Sequence, residues 1–245
     1  MTTDHGSPWL PSLLLALGLV LGGWLAGRGI AQVRASDRYV TVKGVSERPI
    51  RADLAIWPLS IVVADNDLGR AQSQVASNVK KILEFLDRHG IDTAQASLQG
   101  FQVTDANANQ YQPAGGVASR FVVKQTIMVR SDRPDTVLAA SQRLNELVEA
   151  GVVFSSGGEY AATGPSFIFT RLNELKPEMI AEATSRARDA AEQFARDSKT
   201  HVGGIRRANQ GVFEILPRDQ ANGIQEESQV EKTLRVVSTV EYLLE

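Results

Sequence analysis

An α+β fold of antiparallel sheets with three covering helices is the class that this 245-residue sequence predicts. Extended segments with period-two apolar alternation come in consecutive pairs, as hairpin strands do. Three longer segments carry apolar residues at helical spacing, and each separates one strand pair from the next. Those connections suit hairpins rather than the helical crossovers of a doubly wound parallel sheet. The uncharged run from Trp9 to Gly27 stands apart and predicts one membrane helix ahead of the domain.

The expected layout is a tail over residues 1–8, a transmembrane anchor or uncleaved signal over 9–30, a polar linker over 31–38, and a domain over 39–245. In the apolar run, Leu13, Leu14, Leu15, Leu17, Leu19, Val20 and Leu21 surround the whole helix, leaving no polar face. Trp9 and Trp24 fall near its ends, where amphipathic rings favour the headgroup level, and Arg28 closes it. A cleaved signal peptide calls for a basic start, whereas Met1 to Pro8 offers only the amino terminus and His5, offset by Asp4. Small residues before Ala31 and Ala35 leave cleavage open. Arg28, Arg34 and Arg38 follow the run, and by charge alone would hold that flank on the cytoplasmic side.

The domain opens with "YVTVKGVSE" from Tyr39 and "RADLAIWPLSIVVA", two strands separated by a turn at Arg48-Pro49. Pro58 cannot donate to a ladder, which predicts an edge or a bulge in the second strand. Helix one spans Leu68 to His89, with Val75, Val79, Ile82, Leu83 and Leu86 on its apolar face and Gly90 as the left-handed stop. "SLQGFQVTDAN" and "ASRFVVKQTIMVRS" form the next strands around the polar tip "ANQYQPAGG". Helix two starts at Pro134 and ends at Gly151, presenting Val137, Leu138, Leu144, Leu147 and Val148. Two short extended pieces follow in "VVFSSGGEYAATGPSFIFT". Helix three starts near Pro177 and runs to Lys199 or His201, with Ile180, Ala183, Ala187, Ala190, Ala191 and Phe194 facing inward. "GIRRANQGVFEILP" and "KTLRVVSTVEYLL" supply the last strands around the loop "RDQANGIQEESQ". The recurrence of strand, strand, helix predicts intertwined subdomains of ferredoxin-like kind.

Composition excludes several chemistries. The chain has no cysteine, so disulfides, thiolate catalysis and cysteine-bound zinc are absent. With 26 Lys and Arg against 28 Asp and Glu, the net charge of -2 gives no reason to expect nucleic acid. His89 and His201 fall in the last turns of helices, where imidazole is favoured locally, and no pair of histidines has metal-ligand spacing. Ser155 and Ser156 sit in a glycine-rich turn without a nucleophile elbow. Gly203 and Gly204 precede a strand rather than a helix, the wrong order for a phosphate loop. Arg206 and Arg207 are neighbours in a strand, which predicts opposite directions and a poor joint clamp. Asp65 and Asp67 either bracket a cation or, as regards Asp67, cap helix one. No catalytic residue, cofactor or metal is expected.

"VKGVSERPIRADLAIWPLSIVV", "KILEFLDRHGID" leading into "SLQGFQVT", and "VGGIRRANQG" followed by "KTLRVVSTVEYLL" together resemble the SIMPL domain from about Tyr39 to Leu244. The opening departs from that family's commoner Gly-x-Gly-x-Val run and Pro-Asp pair: Lys43, Gly44, Val45 and Ser46 are followed by Pro49, with Asp53 further on. The resemblance implies an α+β fold, export to the periplasm, homo-oligomers in some relatives, and no catalytic residues. The resulting expectation is a non-enzymatic protein anchored in the bacterial inner membrane by membrane lipid around one helix. Its domain would lie in the periplasm and assemble with itself, as a scaffold or in envelope stress protection. The alternative is a small-ligand or peptide-binding module. Trp57 is the candidate contact for self-assembly, with ordinary burial as its competing reading. Tyr111, Tyr160 and Phe169 are the candidate pocket aromatics, or else core.

Overall fold

A computed structural model describes residues 9–35, 38–108, 119–155 and 164–245. The chain runs through helix α1 (Trp9–Ala35), strands β1 (Tyr39–Arg51) and β2 (Leu54–Asp65), helix α2 (Leu68–Arg88), and strands β3 (Ala96–Asp105) and β4 (Phe121–Ser131). Helices α3 (Pro134–Ser141) and α4 (Asn145–Glu149), strand β5 (Ser166–Ile168), helix α5 (Leu172–Asp197) and strands β6 (Val202–Gln210), β7 (Glu214–Pro217) and β8 (Glu231–Leu244) complete it. One sheet has the order β1-β8-β6, with β7 also pairing β8, and the other has the order β3-β4-β2-β5. The pairs β2–β4, β2–β5, β3–β4, β6–β8 and β7–β8 are antiparallel, so the class is α+β.

The expected transmembrane anchor is corrected. Among the described residues no helix is long and apolar enough to cross a membrane. The described side chains from Leu13 to Leu25 in α1 are exposed. Gly18, Gly22 and Gly23 within that run contribute no side chain to lipid. The single-pass inner-membrane placement and the partnership with membrane lipid rested on that span and fall with it.

Contacts divide the chain into two compact units, the first made of Met1–Ser46, Pro177–Phe213 and Val236–Glu245, the second of Glu47–Lys176 and Glu214–Arg235. In the first, α5 lies on the sheet through the stripe Met179, Ala183, Ala187, Ala191 and Ala195, all buried at a spacing of four. Val42, Val240 and Tyr242 pack with Ala187 and Ala191. The stripe is made of alanines because β1 comes so close. A Cβ on Gly44 would lie 1.8 Å from the Ala183 carbonyl oxygen and 2.5 Å from the Ala187 nitrogen. Ser46 donates a 2.8 Å hydrogen bond to Glu182, and Arg186 donates at 2.7 Å to the Val45 carbonyl, tying the same strand to the same helix.

In the second unit Ala55, Trp57, Leu59, Ile61 and Val63 alternate along β2 on the buried face of its sheet. Helix α2 packs on β2 and β4 through Ala71, Val75, Ile82, Phe85 and Leu86. Asp67 caps it, accepting from the Arg70 amide, and Gly90 takes the left-handed φ of 77° after it. Pro58 does not terminate pairing. It is in register with Met128 on β4, while on its other side β5 reaches only Leu54 to Ile56 and the next backbone bonds are at Ser60 and Val62. Among the described residues the proline thus occupies a gap where no neighbour needs its missing N–H.

Three helical details differ from expectation. The second predicted helix breaks into α3 and α4 before Gly151, and Val148 is exposed. Helix α5 begins at Leu172 and carries Pro177 inside it, because the loss of one N–H in an early turn is tolerated when the apolar face is well packed. Phe194 lies outside the alanine stripe and is 58% exposed.

Candidate functional site

The four aromatics singled out from sequence do not form one site. Trp57 is 1% exposed, opposite Val129 within the core of the second unit, so it presents no contact surface. Tyr111 and Tyr160 lie outside the described residues. Phe169 is 8% exposed and lines a groove of about 330 Å³ with Ile50, Leu175, Arg51, Arg171 and Glu174. Both groove arginines already have partners. Arg51 bonds both oxygens of Asp135, at 2.7 and 2.9 Å, and also pairs with Glu231. Arg171 reaches Asp53 at 3.1 Å, and Asp53 also accepts from Thr170. The groove's cations are therefore neutralised by the protein itself, which leaves it little to offer an anion.

The free edge of β3 was not singled out from sequence. Among the described residues no strand pairs its outer side. Ala96 to Thr104 contains neither a charge nor a proline, the usual devices that blunt an edge. Leu98 and Val103 are in register with Ile127 and Val123, and so share the face on which α2 lies. The helix packs chiefly on β2 and β4, leaving Leu98 60% and Val103 40% exposed. Pairing with β4 shifts between Gln99 and Gln102, where Gly100 has φ 60° and Phe101 is exposed. The sequence signal was the uncharged "ASLQGFQVT"; what it could not show is how far α2 reaches across the sheet.

On the first unit, Arg206 and Arg207 do not point in opposite directions as strict alternation predicts. Ile205 is in register with Tyr242 and Arg207 with Glu241, so Arg206 is the extra residue of a bulge. Its guanidinium lies 4.1 Å from the centre of the Tyr39 ring. The Gly203-Gly204 pair just before was the available hint of irregular pairing.

Two carboxylates near the start of β4 are held below the ordinary carboxylate range. Asp65 accepts from the Asp67 amide first and then from Arg70, while Asp105 is lowered first by Arg120 and then by the Asn107 amide. A lowered folded pKa stabilises the fold above the unfolded value of about 3.9, and that contribution is lost as pH falls through the folded value. Acid titration of unfolding should show a steeper loss of stability below about pH 4 in the wild type than in an Asp65→Asn, Asp105→Asn double variant. Equal acid limbs would show that neither carboxylate is linked to folding.

Among the described residues no group of three or more His, Asp or Glu could hold a metal ion. His89 instead pairs with Glu146 at 3.2 Å and packs on Phe85. In comparisons with known proteins, the family model SIMPL, described as a protein of unknown function (DUF541), matches residues 40–242. No curated protein matches the chain.

Proposed function

Because the chain belongs to the SIMPL family, whose description assigns no activity, we infer that it works by recognition. It is a non-enzymatic module that receives a neutral, extended segment of a partner at the free edge of β3. The observation that carries this reading is the uncharged edge strand with Leu98, Phe101 and Val103 exposed. An added strand would satisfy the open backbone groups of β3, while its alternate apolar side chains would cover Leu98 and Val103. The absence of charge along β3 selects a segment equally free of charge, since an unpaired charge covered by the added strand would lose hydration without compensation. The Gly100–Phe101 irregularity limits the register to one side of the bulge or the other.

A fluorescent peptide with the sequence of residues 96–104 is a suitable probe, being itself an uncharged segment of the required pattern. Fluorescence anisotropy with the full chain should show saturable binding. A Leu98→Lys, Val103→Lys variant should weaken it about tenfold or more, equivalent to roughly 1.4 kcal/mol. An Arg188→Ala variant on α5 should leave it unchanged. Lack of saturable binding, or equal affinity in the lysine variant, would overturn the reading.

A further inference from the structure

We propose a second, independent site: the face of the β1-β8-β6 sheet turned away from α5 binds a monosaccharide-sized anion that carries hydroxyl groups, with Arg207 gripping its oxyanion and Arg206 beside it on the same face.

The argument starts from the alternation of β1. Val42 and Gly44 are buried toward α5, which turns Tyr39, Thr41 and Lys43 to the opposite face. In β8 the same rule buries Val240 and Tyr242 and turns Thr239 and Glu241 outward. The β6 register places Asn209 opposite Thr239 and Arg207 opposite Glu241. The bulge adds Arg206 to that same face, which its position over the outward Tyr39 ring corroborates.

Arg207, Ala208, Asn209, Thr239 and Glu241 line a cleft of about 440 Å³ there, a volume that suits a small ligand. Lys43, Arg206 and Arg207 stand on this face beside Glu241, and further along it Arg235 and Glu47 pair with each other at 3.2 Å. Arg207 makes no ion pair among the described residues although Glu241 is its register partner. It thus differs from the groove arginines, whose carboxylate partners are in place.

Each group then has a task. Arg207, which lines the cleft, offers a planar fork of donors to the oxyanion. The Tyr39 ring holds the Arg206 guanidinium by a cation–π contact, which fixes a second positive charge beside the cleft. Asn209 and Thr239 can both donate and accept, and Glu241 accepts only, a set that matches sugar hydroxyls rather than a bare ion. Sugar phosphates and sugar acids share this chemistry.

Calorimetric titration of the full chain with glucose 6-phosphate and with glucuronate separates those two sources. Inorganic phosphate and glucose serve as the half-ligands. Saturable binding of either anionic sugar, tighter than both half-ligands and weakened about tenfold by Arg207→Ala, is the expected result. Arg207→Lys should not restore it fully, because an ammonium cannot form the fork. Tyr39→Leu should weaken binding about threefold while leaving the net charge intact. No binding below about 10 mM would overturn the proposal, as would inorganic phosphate binding as tightly as the sugar phosphate, or wild-type affinity in the Arg207→Ala variant. All these residues are distant in sequence from β3, so failure here leaves the strand-addition reading standing.

Discussion

Gly44→Ala should destabilise the protein by about 3–5 kcal/mol and lower the melting temperature by roughly 10 °C, more than ordinary overpacking does. The methyl group would lie 1.8 Å from the carbonyl oxygen of Ala183, with the Ala187 nitrogen at 2.5 Å and the Ala183 carbonyl carbon at 2.9 Å. All three are backbone atoms of α5, so no rotamer change relieves the contact and the helix must move away from β1. Retreat would separate Ala187 and Ala191 from Val42 and would strain the Ser46–Glu182 and Arg186–Val45 hydrogen bonds. The cost is steric, since Gly44 does not have the left-handed φ of Gly90 or Gly100. Two controls follow. Ala187→Gly should not rescue the variant, because it removes a side chain and leaves the clashing backbone in place. Hydrogen exchange should accelerate first in β1 and α5. A melting temperature within a degree or two of wild type would show that the close approach of β1 to α5 does not exist.

Trp57→Ala should cost about 3–5 kcal/mol, the range for emptying a large aromatic site in a packed core. The side chain is among the largest that are fully buried, and shares its cluster with Leu59, Val129 and Phe85. This outcome separates the two readings that the sequence left open. A contact tryptophan replaced by alanine would change partner affinity with little change in the stability of the isolated chain, whereas a core tryptophan does the reverse. Denaturant titration makes the distinction, and fluorescence supplies an independent check. The emission of wild-type protein should contain a blue-shifted component shielded from iodide that vanishes in Trp57→Ala, while the exposed Trp24 keeps the quenchable one. A loss below about 1 kcal/mol would contradict the packing around β2.

What the sequence made legible follows from how local each signal is. The alternation of β2 and β8 is a property of consecutive residues, and it identified the strands before their partners were known. Asp67 and Gly90 act within one helical turn, which is why both helix ends were readable. The stripe of α5 was read in part, because Ala183, Ala187 and Ala191 obey helical spacing. Phe194 was misassigned, since hydrophobicity says nothing of whether a neighbouring strand reaches that side of the helix. Pro177 looked like a start because the first turns tolerate proline without revealing which turn it is. The apolar run of α1 was read as a span from its length, its lack of charge and its leucines, whereas among the described residues no helix is long and apolar enough to cross.

Both candidate surfaces depend on relations between distant residues, and so were hidden. The exposure of Leu98 is set by the width of sheet that α2 covers, and the alignment of Arg206 with Arg207 by a register shift against Tyr242 and Glu241. Neither quantity exists within a short window of sequence. The reading of Arg206 and Arg207 as opposed was sound for a regular strand and failed only because β6 is not regular.

The division of each unit among separate chain segments governs the order in which the protein can be made. Residues Glu47 to Lys176 form most of the second unit as one continuous stretch, so β2, α2, β3 and β4 can assemble while synthesis is still under way. β1 cannot follow that course. Its neighbour among the described strands is β8, and Arg51 reaches its partner Glu231 only across 180 positions of chain. At about 5–20 residues per second the ribosome needs roughly 10–40 s to deliver that partner. For all of that interval β1 has Val40 and Val42 without their sheet neighbour. The nascent chain thus depends on whatever shields β1 during translation, and slowing of elongation between β1 and β8 lengthens the period in which it can pair wrongly.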